Sequence, residues 1–301
     1  MISSYFTRVE RTLRAAKFCL SAMVPIVASA CAGNIAPQPQ LPAEFSVGRQ
    51  SQVSGPVKPT RAFSFERQAI ARFAMSDGGE AKSGLGFSMA VSLGAEVLPG
   101  TEIVANVRLH SFNLTSDVPN PNQESLAKLA AFKPSFFVTW GADCQNPKIS
   151  NLQLNGPVPS GTSASEIEAS LSRQSFDLFT CFPNGTTVGN QVTVPSASLL
   201  KGALPEDLLS AVQGNSRVRV AALGTFMERP AIGITISGNL MISFDRKDLL
   251  SGVISGTVVF DQTSGLLLNS DLFISASGEE LGRRLVLEFR NSTRTTTFKE
   301  F

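Results

Sequence analysis

The chain has 301 residues, enough for one large domain or two small ones with a substantial apolar core. Its formal net charge of +2 arises at the N-terminus, because four cations and one acid in residues 1–30 contribute +3 and the remainder carries −1. A nearly neutral chain without clustered Lys and Arg argues against a nucleic-acid partner, since binding a phosphate backbone requires many cations. We therefore expect no nucleic-acid binding.

The first thirty residues have the charge pattern of a signal peptide. Residues 1–17 are basic, and residues 18–30 form an uncharged, mostly apolar run. Thirteen residues rise only about 20 Å as a helix, short of the roughly 30 Å hydrocarbon core, and Pro25 interrupts them. The sequence therefore predicts an exported protein with a signal peptide over residues 1–30 rather than a permanent membrane span.

The end of this run, Val27–Cys31, resembles the lipobox of bacterial lipoproteins, in which small residues precede a cysteine that is acylated and becomes the N-terminus. The resemblance implies a mature chain of 271 residues that is anchored to the bacterial cell envelope through lipidation of Cys31. In that family, Ala32 in place of aspartate favours the outer membrane, facing the periplasm. Ala28-x-Ala30 also fits an ordinary signal-peptidase site, as does Ala30-x-Ala32, and either would release a soluble periplasmic or secreted protein.

Two cysteines remain beyond the leader and the lipobox. Cys144 and Cys181 would meet an oxidising environment after export, so the sequence predicts one disulfide between them. On the chain-entropy model, its loop would stabilise the fold by roughly 4 kcal/mol. The alternative is two separate buried thiols. The absence of a Cys-x-x-Cys spacing gives no indication of a zinc or redox site.

Residues 31–60 are rich in Pro, Gln and Ser and lack an apolar period, which predicts a disordered tether. We expect one globular domain over residues 61–301, with a potential boundary near residue 200. Residues 63–75 fit either a helix or a strand. Alternation of apolar and polar residues predicts strands at about 85–93, 103–109, 136–140, 152–154, 176–182, 186–194, 218–226, 231–244, 253–260, 266–276 and 284–298. Capping residues and Pro positions predict short helices at about 120–132, 165–174 and 204–212.

This pattern indicates a mainly β fold, with a large curved antiparallel sheet that is half-barrel or sandwich-like and carries two or three short helices. The longest predicted strand has one continuously apolar face, formed by Ile232, Ile234, Ile236, Leu240, Ile242 and Phe244. Such a face must be covered by helices, by another sheet or by a ligand. The architecture has a loose likeness to half-barrel lipoproteins that carry lipids or lipoproteins between membranes, which implies an apolar ligand on this face.

Candidate catalytic residues are sparse. His110 is the single histidine and lies on the polar face of a predicted strand, which is typical of a solvated residue. Ser125-x-x-Lys128 and Lys82-Ser83-Gly84 are similar to motifs of penicillin-binding enzymes, but they occur in the reverse order, and we interpret both as chance. The acidic pairs fall in predicted turns or first helical turns, where acids are expected in any case: Glu166/Glu168, Glu206/Asp207 and Glu279/Glu280.

The sequence therefore predicts no catalytic, metal or cofactor site. The favoured interpretation is a non-catalytic, membrane-anchored binding module for an apolar ligand or lipid. A structural or protein-interaction lipoprotein of the envelope is the alternative, and a hydrolase is less favoured.

Overall fold

Thirteen strands of the described chain form one antiparallel sheet in the computed structural model. The structure describes residues 38–76, 85–116, 133–141, 147–156, 178–200, 211–245, 248–280 and 283–301, with a few single residues between 131 and 171. The strands are β1 (Ser46–Val47), β2 (Phe63–Ser76), β3 (Leu85–Leu98), β4 (Ile103–Ser116), β5 (Ser135–Trp140), β6 (Lys148–Gln153), β7 (Gln191–Pro195), β8 (Val212–Gln213), β9 (Asn215–Phe226), β10 (Arg229–Asp245), β11 (Asp248–Asp261), β12 (Leu267–Glu280) and β13 (Arg283–Glu300). The predicted fold class, mainly β with a large antiparallel sheet, is confirmed.

The strand order is β1-β9-β10-β11-β12-β13-β2-β3-β4-β5-β6, with β7 paired to β9 and β8 paired to β10. Pairing of β13 with β2 joins the C-terminal meander to the N-terminal one. Strands from both sides of residue 200 therefore belong to one sheet.

Most of the long strands have 14 residues and so extend for about 45 Å. Directly paired residues point to the same face, so the register shows which side chains share a face. Ile254 pairs with Ile274, Ile274 with Phe289, and Phe289 with Phe73. The same face carries Val91 on β3, which pairs with Phe112 on β4. One apolar face thus continues across the sheet.

The sheet curls around this apolar face, which is therefore concave. Five strand spacings separate β12 from β5, which would be about 24 Å in a flat sheet. Yet Phe179 forms a β-bridge with Leu266, next to the start of β12, and its ring centroid lies 5.1 Å from that of Trp140 on β5. A single residue can reach both places only because the sheet is strongly curved at this end.

Residues 178–182 close that end of the curve, and we call them the plug. The end of the sheet that they occupy, where β2 begins at Phe63 and β5 ends at Trp140, is called the plugged end. The opposite end of the strands is the far end.

Residues 38–60, called the strap, are ordered, so the prediction of a disordered tether is wrong for this part of residues 31–60. Leu41 lies directly over Gly233 on the convex face, β1 pairs with β9, and Val53 is 1% exposed within the concave core. The strap passes around the β9 edge at Gly224, where a Cβ atom would lie 2.0 Å from the carbonyl oxygen of Ser46. Isolated apolar residues, too widely spaced to show a period, anchor the strap.

Several predicted elements differ from the structure. Residues 63–75, which fit either a helix or a strand, lie in β2. In the predicted strand at 176–182, the described residues 178–182 form isolated bridges at Phe179 and Phe182 instead of a strand, and residues 176 and 177 lie outside the described ranges. The predicted helix at 204–212 is wrong at its end, because Val212 begins β8. Residues 204–210, like nearly all of the helix at 120–132, lie outside the described ranges. Residues 165, 167, 168 and 171 are helical, within the predicted helix at 165–174. In the described part of the chain, no helix is both long and apolar enough to cross a bilayer.

Candidate functional site: the concave face

The predicted ligand face lies on β10, and five of its six residues have described side chains. Ile232, Ile234, Ile236, Leu240 and Ile242 are all on the concave face and at most 7% exposed. The Phe244 side chain lies outside the described part. The cluster around these residues also contains Val53 and Val57 of the strap and Leu200. The chain itself therefore covers this section of the face, and a ligand role for it stays a prediction.

A second section of the concave face lies on β2, β3 and β4 and was not singled out from the sequence. We call Ala69, Met89, Val91 and Phe112 the trough floor, because Ala69 pairs with Val91 and Val91 with Phe112. All four are at most 7% exposed. They lie between an apolar cluster around Trp140 and another around Ile254. The alternation that predicted β3 also predicted its apolar face. Nothing in the sequence favoured this face over that of β10 as the ligand site.

The plug bounds this trough at one end. The Phe179 ring makes edge contacts with Phe63 at 6.0 Å, with Phe65 at 6.3 Å and with Trp140 at 5.1 Å between centroids. The backbone of the plug is fixed as well, because Thr180 donates a hydrogen bond to the carbonyl of Gly265 at 2.9 Å. Backbone and ring contacts together hold the plug between strands that are far apart in the sheet order.

A disulfide between Cys144 and Cys181 links the plug to the loop that follows β5, with 5.5 Å between their Cα atoms. The predicted disulfide is confirmed. It closes the plug on the β5 side, while the bridge between Phe179 and Leu266 closes it on the β12 side. The width of the trough at this end is therefore fixed by a covalent bond on one wall and by hydrogen bonds on the other.

One charged residue lies within the concave face beside the plug. Arg67 is 4% exposed, and its guanidinium donates a hydrogen bond to the carbonyl of Leu267 at 3.1 Å. The Thr295 hydroxyl donates to the same oxygen at 2.7 Å, and the Arg67 guanidinium lies 5.2 Å from the centre of the Phe65 ring. The sequence of β2 did not predict that Arg67 is buried, because the same pattern of residues would occur with an exposed arginine.

At the plugged end, Arg229 joins three strands. Its Nε donates to Asp261 at 2.6 Å, and a terminal nitrogen donates to Glu300 at 2.8 Å. The guanidinium also stacks at 3.7 Å on the ring of Phe298. This arrangement, called the Arg229 clamp, ties the start of β10 to the ends of β11 and β13.

The Asp261 carboxylate in this clamp is fully buried. Burial on its own would raise its pKa, but hydrogen bonds from Arg229, Thr263 and Ser264 outweigh that effect, so the pKa of Asp261 lies below its usual value. Asp261 is therefore charged at neutral pH and depends on Arg229 for compensation.

The residues considered for catalysis are not brought together. His110 lies on the convex face, and its Nε2 is 3.1 Å from the Glu66 carboxylate, with both side chains nearly half exposed. Both pack over Gly94, where a Cβ would lie 2.6 Å from the His110 ring. Among the described residues, no group of three or more His, Cys, Asp or Glu side chains could hold a metal ion.

The other candidates are placed as follows. Glu168 is exposed on the helical segment, and Glu279 and Glu280 belong to β12 rather than to the predicted turn. Lys82, Ser83, Gly84, Ser125, Lys128, Glu166, Glu206, Asp207 and the lipidation candidate Cys31 lie outside the described residues.

Comparison with known proteins gives little. No protein-family model and no curated protein matches the sequence. A solved structure described as "lipid-protein interactions in lipovitellin" is similar with a TM-score of 0.40 and 7% sequence identity. The match covers 80% of this chain and 26% of that one, so the chain spans about a quarter of the length of the lipovitellin chain. A likeness at this TM-score supports no functional conclusion.

Proposed function

We propose that the protein is an exported envelope lipoprotein, anchored through Cys31, that binds an apolar ligand or a lipid in the trough and does no chemistry on it. The observation that carries the proposal is the continuous apolar concave face, which extends from β10 to β4 on strands about 45 Å long. A plug closes one end of the curve. A concave, mainly apolar site with a few polar groups is typical of a site for an apolar small molecule.

The trough floor is the part of this face best suited to the ligand. Ala69 pairs with Val91 on one side and with Thr293 on the other, so small side chains occupy the middle of the curve. Arg67 and Thr295 lie next to it, toward the plug, and give the apolar surface one polar point. An elongated molecule with a polar group would fit such a surface, with its polar group beside Arg67.

The second candidate is a structural or interaction lipoprotein in which the concave face is ordinary core. The observation that favours it is the packing of Val53, Val57 and Leu200 on the β10 section of the face. Because the trough floor is at most 7% exposed, the two candidates differ in whether a ligand can displace the part of the chain that covers it: a ligand can in the first candidate and cannot in the second.

Ala69→Phe separates them. If a ligand occupies the trough, the added ring takes its place: the variant keeps its melting temperature and loses binding of cis-parinaric acid, a fluorescent fatty acid, at least tenfold. If the floor is filled core, the ring has no room, and overpacking lowers stability by about 1–3 kcal/mol. That second result would contradict the proposal, and so would unchanged binding of the probe.

Ala90→Phe is the matched control, because Ala90 is the neighbouring alanine on β3 and is exposed on the convex face. We expect it to change neither the melting temperature nor the binding of the fatty acid. Anchoring is tested separately by the mass of the N-terminal peptide from membrane-extracted protein, which should begin at Cys31 and carry acyl chains.

A further inference from the structure

We infer that the plugged end faces the membrane and that Leu98 and Phe301 enter the interfacial zone of a phospholipid bilayer. The inference rests on the proposed anchor at Cys31 and on the path of the strap. It assigns a membrane-binding surface to the plugged end of the sheet.

The position of the strap limits where the anchor can lie. Leu41 is seated on Gly233 of β10, and ten residues separate it from Cys31. Even fully extended, ten residues span at most about 35 Å. Four residues separate Gly233 from the start of β10 at Arg229, about 14 Å, whereas twelve separate it from Asp245, about 41 Å. An acyl chain on Cys31 therefore reaches a membrane at the plugged end with slack, but not one at the far end.

The plugged end exposes two large apolar side chains side by side. Leu98 is 60% exposed and Phe301 is 70% exposed. Phe63 pairs with Val97 on one side and Glu300 on the other, and the Phe301 amide donates to the carbonyl of Ala62 at 3.0 Å. The two side chains therefore flank the start of β2, about two strand spacings, or 10 Å, apart.

The surroundings of this apolar pair fit a bilayer interface. The Lys299 ammonium lies 5.5 Å from the centre of the Phe301 ring, which places a cation at the base of the apolar tip. Among the described residues, charges at this end are mixed: Lys58, Arg61, Lys148, Arg229 and Lys299 are offset by Glu96, Glu102, Glu228, Asp261 and Glu300. The balance favours a zwitterionic surface, on which apolar insertion and the acyl anchor provide the affinity.

Side-on attachment through the convex face is the competing geometry, since the strap begins there. That face carries Ile70, 41% exposed on β2, and Met241, 39% exposed toward the far end of β10. The direct strand partners of both are small or polar, because Ile70 pairs with Ala90 and Ser292 and Met241 pairs with Gln213 and Ser251. These two positions serve as controls.

The test uses acylated full-length protein from membranes, reconstituted into phosphatidylcholine vesicles that contain acyl-brominated lipid. Single Leu98→Trp, Ile70→Trp and Met241→Trp variants report contact with the lipid, and the signal of the fully buried Trp140 is subtracted with the unsubstituted protein. We expect the L98W indole to lose at least about half of its fluorescence, since interfacial side chains lie roughly 5–10 Å deep. The I70W and M241W indoles should lose little. Phe301→Trp repeats the test should L98W fold poorly.

Quenching of I70W or M241W without quenching of L98W and F301W would overturn the inference, and so would quenching at none of these positions. The mass of the N-terminal peptide is measured in the same sample. Absence of an acyl mass contradicts the proposed anchor and the orientation together, whereas an acylated protein with unquenched L98W and F301W contradicts the orientation alone.

Discussion

At the plugged end, rings from β2 and β5 converge on Phe179, and a disulfide fixes the segment that carries it. The trough floor, farther along the same strands, presents Ala69, Met89, Val91 and Phe112 toward the inside of the curve. The two regions share their strands and their apolar character. They differ in cross-links: the disulfide and the ring contacts lie at the plugged end, and the proposed function assigns ligand binding to the trough floor.

The largest effect should come from Phe179→Ala. Removing the ring leaves a cavity between Phe63, Phe65 and Trp140, all of which are at most 2% exposed. Such substitutions cost about 3–5 kcal/mol. Urea unfolding should show this loss, with Phe301→Ala as the exposed control that changes stability by less than about 0.5 kcal/mol. A small loss at Phe179 would mean that the plug does not hold the sheet.

The disulfide should come next. In the Cys144→Ala/Cys181→Ala double variant, a loop with a sequence separation of 37 is no longer closed, and we expect a loss of about 2–4 kcal/mol. Reduction of the unsubstituted protein should lower its unfolding midpoint to the same extent and should leave the midpoint of the double variant unchanged. Equal sensitivity of both proteins to reductant would contradict a role for this bond.

The Arg229 clamp should contribute somewhat less, because Arg229 is partly exposed. Arg229→Met leaves the buried Asp261 carboxylate without its cation, and we expect a loss of about 2 kcal/mol at pH 7. The folded-state pKa of Asp261 is lowered, so its contribution in the unsubstituted protein is complete above the unfolded value of about 3.9 and is lost as the pH falls through the folded value.

In the R229M variant, that acid-side loss should shrink, because the largest of the interactions that lower the pKa of Asp261 is gone. Urea unfolding at pH 7 and at pH values below about 4 measures the difference between the two proteins. An identical pH dependence in both would show that Asp261 does not depend on Arg229.

The smallest effect is expected at the trough floor. Met89 is 3% exposed, and in filled core Met89→Ala would cost about 2–5 kcal/mol. If a ligand supplies part of its surroundings, delipidated protein should lose only about 1 kcal/mol. A loss as large as that of Phe179→Ala would erase the difference between the two regions and favour the structural candidate.

Local alternation was enough to predict the sheet. Residues 85–93 and 231–244 show a period of two over many positions, and both are strands. Several strands run longer than predicted because their ends are polar. β13 continues past the predicted end at 298, because the charged residues Lys299 and Glu300 pair with Ser64 and Phe63 of β2. Pairing partners that are distant in sequence leave no local pattern.

The plug and the strap escaped prediction for a related reason. Phe179 is buried by rings from β2 and β5, and Val53 and Val57 by β10 and its neighbours, so each depends on curvature that no short stretch of sequence records. The disulfide was predictable because the predicted signal peptide and lipobox account for two of the four cysteines and leave a single pair. For the candidate site, the sequence predicted the apolar alternation of the strands. It did not predict which segments of the chain pack on which section of the concave face.

The central claim is that an apolar molecule occupies the trough. Native mass spectrometry of the protein, extracted from its membranes in mild detergent, measures this most directly. We expect the mass of an acylated chain beginning at Cys31, together with a noncovalently bound apolar molecule that organic extraction removes and that the A69F variant lacks. A chain of the same mass with no bound molecule, both before extraction and in the A90F control, would contradict the claim.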